Sequence, residues 1–216
     1  MSADTHLRIL ITAGPTREPL DPVRFLSNAS SGRMGLAVAN AAARRGHRAC
    51  LILGPVELDV PAGVEVTRVT TAEEMLEASR RAFVECHAAV MTAAVCDYRP
   101  ARREPRKLPK HQRSLSLPLE PTPDICATLG REKNHRVVVG FALEDHDHHA
   151  HAEEKLRRKH CDAIVLNTPE NIAAPAGRVE VFRADSGWLP PIAGTKAEIA
   201  EALIQLVESL VRRPAT

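Results

Sequence analysis

LRILITAG, residues 7–14, is a short apolar run closed by a glycine, and its reading sets the fold. A run of this length ending in a turn signal is a strand buried on both faces, as in a parallel sheet. Further on, LSNASSGRMG (26–35) runs small polar residues and two glycines, Gly32 and Gly35, into MGLAVANAAARRG (34–46). The latter reads as a helix rich in small residues that can lie close on a sheet. Arg44 and Arg45 sit in its last turn and Gly46 stops it, as the helix dipole and C-terminal cap rules require.

The same alternation continues along the chain. RACLILG (48–54), VEVTRV (64–69), HAAVMTAAV (87–95), VVVGFA (137–142) and DAIVLN (162–167) read as strands. Thr71 caps a helix running to about Cys86, with Glu73 and Glu74 in its first turn. Another helix is expected around residues 153–159, and Thr195 opens a final amphipathic helix to about Val211. RVEVFRA (178–184) is expected at the sheet edge. Strands alternating with helices predict an α/β protein with a doubly wound, mostly parallel sheet and an extended edge hairpin. One domain over residues 1–216 is expected. Residues 98–114, YRPARREPRKLPKHQRS, break the rhythm with prolines and seven Lys or Arg against one Glu, and are expected to be a mobile basic loop.

Composition excludes several classes. Apolar residues make up 44%, enough for a full core, and 29 Lys plus Arg nearly balance 27 Asp plus Glu, so any anion preference must be local. Aromatics are 3%, too few for nucleic-acid stacking platforms. The five cysteines form no C-x-x-C pair and read as reduced thiols. No apolar run is long enough for a membrane span and no signal peptide is expected, which points to the cytoplasm.

Ligands of open α/β sheets sit beyond the carboxyl ends of the strands. Gly14 to Arg17, Ala93 to Asp97, Phe141 to Glu144 and Asn167 all fall at such ends. Ser30, Ser31 and Gly32 precede a helix whose first N–H groups attract phosphate or carboxylate. An ordinary cap with a glycine turn accounts for them too, but Asn28 and Arg24 nearby favour an anion site. Asp97 reads as a turn former or a ribose acceptor. Lys107 and Lys110 read as solvated charges or as cover for a triphosphate. Thr122, Pro123 and Asp124 read as a helix start. Lys155 and Lys159, four apart, read on spacing alone as a charged outer face paired with Glu153 or Glu154. EDHDHHAHAEE (144–154) invites a metal reading through His148 and His151 near Asp145 and Asp147, yet lacks the fixed spacing of a zinc site, so a solvated His146–His151 cluster is preferred. Cys96 reads as a packed small hydrophobe rather than a nucleophile. An NAD(P)-dependent reductase is disfavoured, because no G-x-G-x-x-G follows the first strand and Tyr98 is followed four residues on by Arg102. A non-catalytic nucleotide- or RNA-binding module is disfavoured by the balanced charge and scarce aromatics.

ITAGPTREPLDPVRFLSNASSGRMG, TAAVCDYRP, KLPK, PTPDI, VVGFALE and KLRRKHCDAIVLN occur in the order found in the phosphopantothenoylcysteine synthetase family, which the chain resembles from about Leu7 to Val211. The resemblance implies a Rossmann-like fold, usually dimeric. It also implies ligation of 4′-phosphopantothenate and L-cysteine, driven by CTP with Mg²⁺, through an acyl nucleotidylate. A stand-alone or separately expressed synthetase is expected, without the flavin-dependent decarboxylase domain fused ahead of it, and a separate decarboxylase is a candidate partner. No nucleic-acid or membrane partner is implied.

Position by position, the resemblance implies that Asn28 contacts the acyl nucleotidylate and that Arg24 reaches phosphopantothenate across a dimer, with Ser30, Ser31 and Gly32 at the same substrate. Gly14, Ala93 and Asp97 would contact the nucleotide, Asp97 at the ribose. Lys107 would act from the mobile loop. Thr122, Pro123, Asp124, Ile125, Cys126 and Phe141 would surround the base, and Lys155 and Lys159 the triphosphate, which reverses the outer-face reading. No protein ligand to Mg²⁺ is implied, the ion being carried mostly by the triphosphate. Arg33 stands where lysine is common, Pro109 stiffens the loop, and Cys96 replaces a common alanine. The segment after Asn167 lacks the Phe and the Asn-containing turn that many members carry there.

Overall fold

The computed structural model describes residues 6–110, 114–144, 146–168, 171 and 175–212. Its strands are β1 (Arg8–Ala13), β2 (Arg17–Pro19), β3 (Phe25–Ser27), β4 (Arg48–Leu53), β5 (Glu65–Arg68), β6 (Ala88–Met91), β7 (Tyr98–Pro100), β8 (Leu119–Pro121), β9 (Val137–Leu143), β10 (Ala163–Asn167), β11 (Ala176–Arg183), β12 (Gly187–Trp188) and β13 (Ile192–Thr195). The helices are α1 (Arg33–Arg44), α2 (Ala72–Phe83), α3 (Ile125–Arg131), α4 (His148–Arg158) and α5 (Lys196–Val211).

The main sheet runs β12-β11-β10-β9-β6-β1-β4-β5, with β13 also on β11. From β10 to β5 every pair is parallel. β11 to β13 add antiparallel strands. The chain winds outward from β1 through β4 to β5, then returns to β6 on the other side of β1. RVEVFRA is therefore not the edge itself: β11 pairs β10 on one side and β12 and β13 on the other.

Each face of the sheet is sealed by helices. Ile9, Ile11, Leu51, Leu53 and Val90 pack beneath α1 and α5, while Leu10, Cys50, Ile52, Ala89 and Ile164 pack beneath α2, α3 and α4. This is the doubly wound arrangement the apolar runs predict, since a strand covered on both faces has no polar side to show.

The helix signals resolve in detail. Thr71 and Thr195 each form a capping box, with Glu74 and Glu198. α2 ends at Phe83, three residues before the expected Cys86. α4 begins at His148, taking in part of the histidine run and starting five residues before the expected position. Two small antiparallel pairs, β2–β3 and β7–β8, flank the main sheet. The β2–β3 hairpin is not foreshadowed by hydrophobic periodicity, being three residues per strand. Residues 111–113 of the basic loop lie outside the described residues.

The end of α1 is locked onto α5. Arg45 Nε and Nη2 donate to Glu208 at 2.8 and 2.9 Å, and His47 Nε2 lies 2.8 Å from the same carboxylate. Hydrogen bonding from Arg45 holds the Glu208 carboxyl below the usual carboxylate range against the opposing effect of burial. The unfolded chain therefore binds a proton here at a higher pH than the folded one, and stability rises with pH across that window. Acid is expected to remove this contribution as pH falls below the ordinary carboxylate range of ~4. Urea titrations should show Glu208→Gln less stable than the parent by about 1–3 kcal/mol at pH 7, with the gap narrowing near pH 3.

Candidate active site

The winding reverses between β1 and β6, and the crevice that forms at such a reversal lies beyond their carboxyl ends. Its floor is stitched across the two strands. Thr92 Oγ1 donates to Thr12 O at 2.6 Å, and Ala94 N donates to Gly14 O at 3.0 Å. Buried Thr16 accepts at Oγ1 from Cys96 N at 3.0 Å, and its carbonyl accepts from Ser27 Oγ at 2.7 Å. Gly35 lets α1 close onto this floor. A Cβ there would overlap Ala13 Cβ and come within 2.5 Å of Thr92 Oγ1.

Two recesses open along this edge and share a wall of Ala29, Ala93, Ala94, Phe141 and Leu143. The first is lined by Ser30, Ser31, Gly32 and Arg33 at the start of α1, and by Asn167, Asn171 and Lys196 opposite. Gly32 occupies the N-cap of α1 with φ 73°, and no side chain caps the helix. The glycine turn of the ordinary-cap reading is present at Gly32, but the serines do not cap the helix: Ser30 Oγ accepts from Gly32 N at 3.4 Å. The leading N–H groups remain a positive helix end beside two cations.

Lys196 and Asn171 carry no motif signal. Lys196 joins the site from the first turn of α5, and burial followed by the Arg33 charge lowers its pKa. Its Nζ donates to Asn171 O at 3.2 Å. Asn171 N donates to Thr168 O at 3.1 Å, and its side chain bridges Asn167 Oδ1 and Arg178 O, both at 2.7 Å. The segment after Asn167 thus supplies Asn171 to the first recess. Residues 169, 170 and 172–174 of that segment lie outside the described residues.

The second recess, about 550 Å³, brings together Asn28, Ala93, Asp97, Thr122, Pro123, Asp124, Ile125, Cys126, Phe141, Lys155 and Lys159. Asn28 Nδ2 donates to Val95 O at 2.9 Å, which fixes the amide at the junction of the two recesses. Thr122 ties the β8–α3 turn to the segment between β6 and β7 through Cys96 O (2.5 Å) and Asp97 O (2.9 Å). Asp124 caps α3 by accepting from Ala127 N at 3.0 Å. The same carboxylate meets Lys159 Nζ at 3.2 Å. Lys155 Nζ lies 2.6 Å from Glu144 Oε1, a contact of charge rather than an aligned hydrogen bond. The outer-face pairing with Glu153 is thereby overturned, since Glu153 instead meets Arg157 and accepts from Trp188 Nε1. Both lysines turn inward because α4 packs Ala152 and Leu156 onto the sheet.

Three expected residues line neither recess. Gly14, with φ 78°, forms the turn behind Gly32. Arg24 pairs with Asp21 at 2.5 Å and donates to Leu108 O at 2.7 Å. Lys107, exposed, precedes that anchor. Buried Cys96 donates its thiol to Tyr98 O at 3.1 Å, and burial raises its pKa, as suits a packed thiol. The end of β4 leaves no ribose acid for a dinucleotide: Gly54 lies directly against Pro15 O.

A doubly wound parallel sheet with a divided, lysine-lined cleft at its switch point defines an α/β protein of Rossmann-like architecture. The chain belongs to the family described as the DNA/pantothenate metabolism flavoprotein C-terminal domain, whose model matches residues 5–210. It is 43% identical over 210 residues to the coenzyme A biosynthesis bifunctional protein CoaBC of Bacillus subtilis, covering 95% of this chain and 52% of that protein. It is 42% identical over 210 residues to a cysteine/cysteine sulfinic acid decarboxylase from an unknown prokaryotic organism, covering 94% of this chain and 58% of that protein. The crystal structure of the C-terminal domain of a CoaBC protein superposes with TM-score 0.82 at 36% identity, covering 97% of this chain and 98% of that one. The chain thus spans about half the length of the curated relatives it matches. No described helix is long and apolar enough to cross a membrane.

Proposed function

We propose that this chain is a cytoplasmic ligase that joins 4′-phosphopantothenate to L-cysteine at the expense of CTP. The observation that carries the reading is the pair of cation-lined recesses meeting at Ala29, Ala93, Ala94 and Phe141. A reaction between a carboxylate and a triphosphate needs two anion sites that share one boundary, so that repulsion is neutralised and the reacting atoms are held together. The name of the Bacillus subtilis relative supports coenzyme A biosynthesis as the setting.

In this reading the pantothenate carboxylate oxygen attacks the α-phosphorus and pyrophosphate leaves. The cysteine amine then attacks the acyl carbon and the nucleoside monophosphate leaves. The α1 end, Arg33 and Lys196 hold the acid substrate. Lys155 and Lys159 exchange their carboxylate partners for phosphate oxygens. Asp97, exposed at the recess rim, is suited to a ribose hydroxyl. Among the described residues, the three-donor group able to hold a metal lies outside the two recesses, so Mg²⁺ would ride on the triphosphate, where it neutralises developing charge. Arg24 and Lys107 sit on one flank, joined through Asp21 and Leu108, which suits delivery to the site of a second copy in a homodimer. A decarboxylase, fused or separate, acts on the product.

The test is pyrophosphate release with CTP or ATP, with and without cysteine. A burst limited to one turnover is expected without cysteine and sustained release with it, faster with CTP. Absence of release with either nucleotide would remove the assignment. Lys107→Gln is expected to lower product formation about tenfold, the scale of a displaced positioning group, while leaving the melting temperature within 1–2 °C because the side chain buries nothing. A large drop in melting temperature would instead assign Lys107 to the fold.

A further inference from the structure

We propose that His146, Asp147 and His151 form a binding site for a zinc-class divalent cation, beside the lysine-lined recess but separate from it. One donor atom from each residue lies within 4.8 Å of the other two. The backbone brings this about. Asp147 adopts a left-handed conformation at the N-cap of α4, φ 42° and ψ 40°, which turns the chain just before the helix begins. His151 N then donates to Asp147 O at 3.1 Å, setting the two residues one turn apart. The rings of His146 and His151 meet edge to face with centroids 4.9 Å apart.

In a tetrahedral centre with bonds of about 2.0–2.2 Å, donor atoms stand roughly 3.3–3.6 Å apart. The group must therefore close by about 1.5 Å at most, within reach of side-chain rotation at positions that are exposed or half-exposed. Two imidazoles and one carboxylate suit zinc and its late first-row neighbours, with water completing the shell. Magnesium prefers an all-oxygen octahedron and is a poor fit.

The histidine pair named by spacing alone, His148 and His151, is not the one that converges. His148 lines a different groove with Asn171 and Arg178. His149 lies 3.1 Å from Glu180 and tilts over Trp188 at 4.0 Å. Glu144 stands behind the proposed site, with Oε2 3.6 Å from His151 Nδ1 and Oε1 on Lys155. A carboxylate behind a ligating imidazole fixes the ring and raises its basicity. A cation here would therefore draw on the same carboxylate that holds Lys155.

The experiment is calorimetric titration of zinc chloride into the full chain without an affinity tag, in the presence of excess magnesium chloride. One zinc ion per chain is expected to bind, and to raise the melting temperature. The double variant His146→Ala/His151→Ala is expected to bind at least tenfold more weakly and to lose the thermal shift, with an unchanged circular dichroism spectrum. His148→Ala/His149→Ala is expected to retain both. No zinc binding, equal affinity in the first variant, or loss confined to the second would overturn the proposal.

Discussion

Lys155→Gln is expected to cut the rate of pyrophosphate release by about 10²–10³-fold, comparable to removing one preorganised charge-stabilising donor. Most of the loss should fall in kcat/KM for the nucleotide. Lys155 is 32% exposed and faces Glu144, which is 9% exposed, at 2.6 Å. The lysine thus has two possible functions, holding phosphate or merely neutralising a buried carboxylate. The two separate in a double-mutant cycle. Lys155→Gln alone leaves Glu144 without its cation and is expected to cost about 1–3 kcal/mol of stability. Glu144→Gln added to it is expected to restore most of that stability and none of the activity. Recovery of turnover in the double variant would mean that Lys155 serves only Glu144, and the phosphate role would fall.

The same lysine shows where sequence reading succeeds and where it stops. Spacing of four correctly places Lys155 and Lys159 one turn apart, in the last turn and at the C-cap of α4. It does not tell which way they face, because that depends on Ala152 and Leu156 seating against the sheet. The buried strands were legible, since LRILITAG and VVVGFA are short, rich in β-branched residues and closed or interrupted by glycine, which favours strands covered on both sides. The capping boxes at Thr71 and Thr195 were half legible, because the cap residue announces the helix start but not its length. Lys196 and Asn171 were illegible as site residues. Lys196 reaches the first recess because β13 folds against β11 and delivers the start of α5 there, and Asn171 because its side chain is tied to Asn167 and Arg178; packing sets both placements. The β2–β3 hairpin escaped for the opposite reason, being too short for any periodicity to register. The histidine run reads as a solvated cluster, and its spacing does not tell that the rings of His146 and His151 are the ones that meet. Only the left-handed turn at Asp147 selects which two of its histidines meet.

Asn28→Asp is expected to leave the fold intact while slowing the conversion of the acyl nucleotidylate to product by at least 10²-fold, so that the intermediate accumulates on the enzyme. The substitution changes almost no volume. It replaces an amide that donates to Val95 O at 2.9 Å with a carboxylate that can only accept there. Asn28 is exposed at the junction of the two recesses, so the fold loses one rim hydrogen bond, about 1 kcal/mol. The reaction loses far more. A new negative charge about 4 Å from a phosphate oxygen costs up to ~4 kcal/mol at an effective dielectric of 20, and in this reading it opposes the charge that develops on the departing nucleoside monophosphate in the second step. Asn28→Ala separates the two effects, since it removes the donor without adding charge and should slow the second step less than Asn28→Asp does. Quenched-flow measurement of pyrophosphate and nucleoside monophosphate distinguishes the steps: a normal burst of the first with delayed appearance of the second is the expected result. Equal rates for both products in Asn28→Asp and the parent would place the reacting atoms away from this junction. The shared wall of the two recesses would then no longer be the meeting point of the substrates.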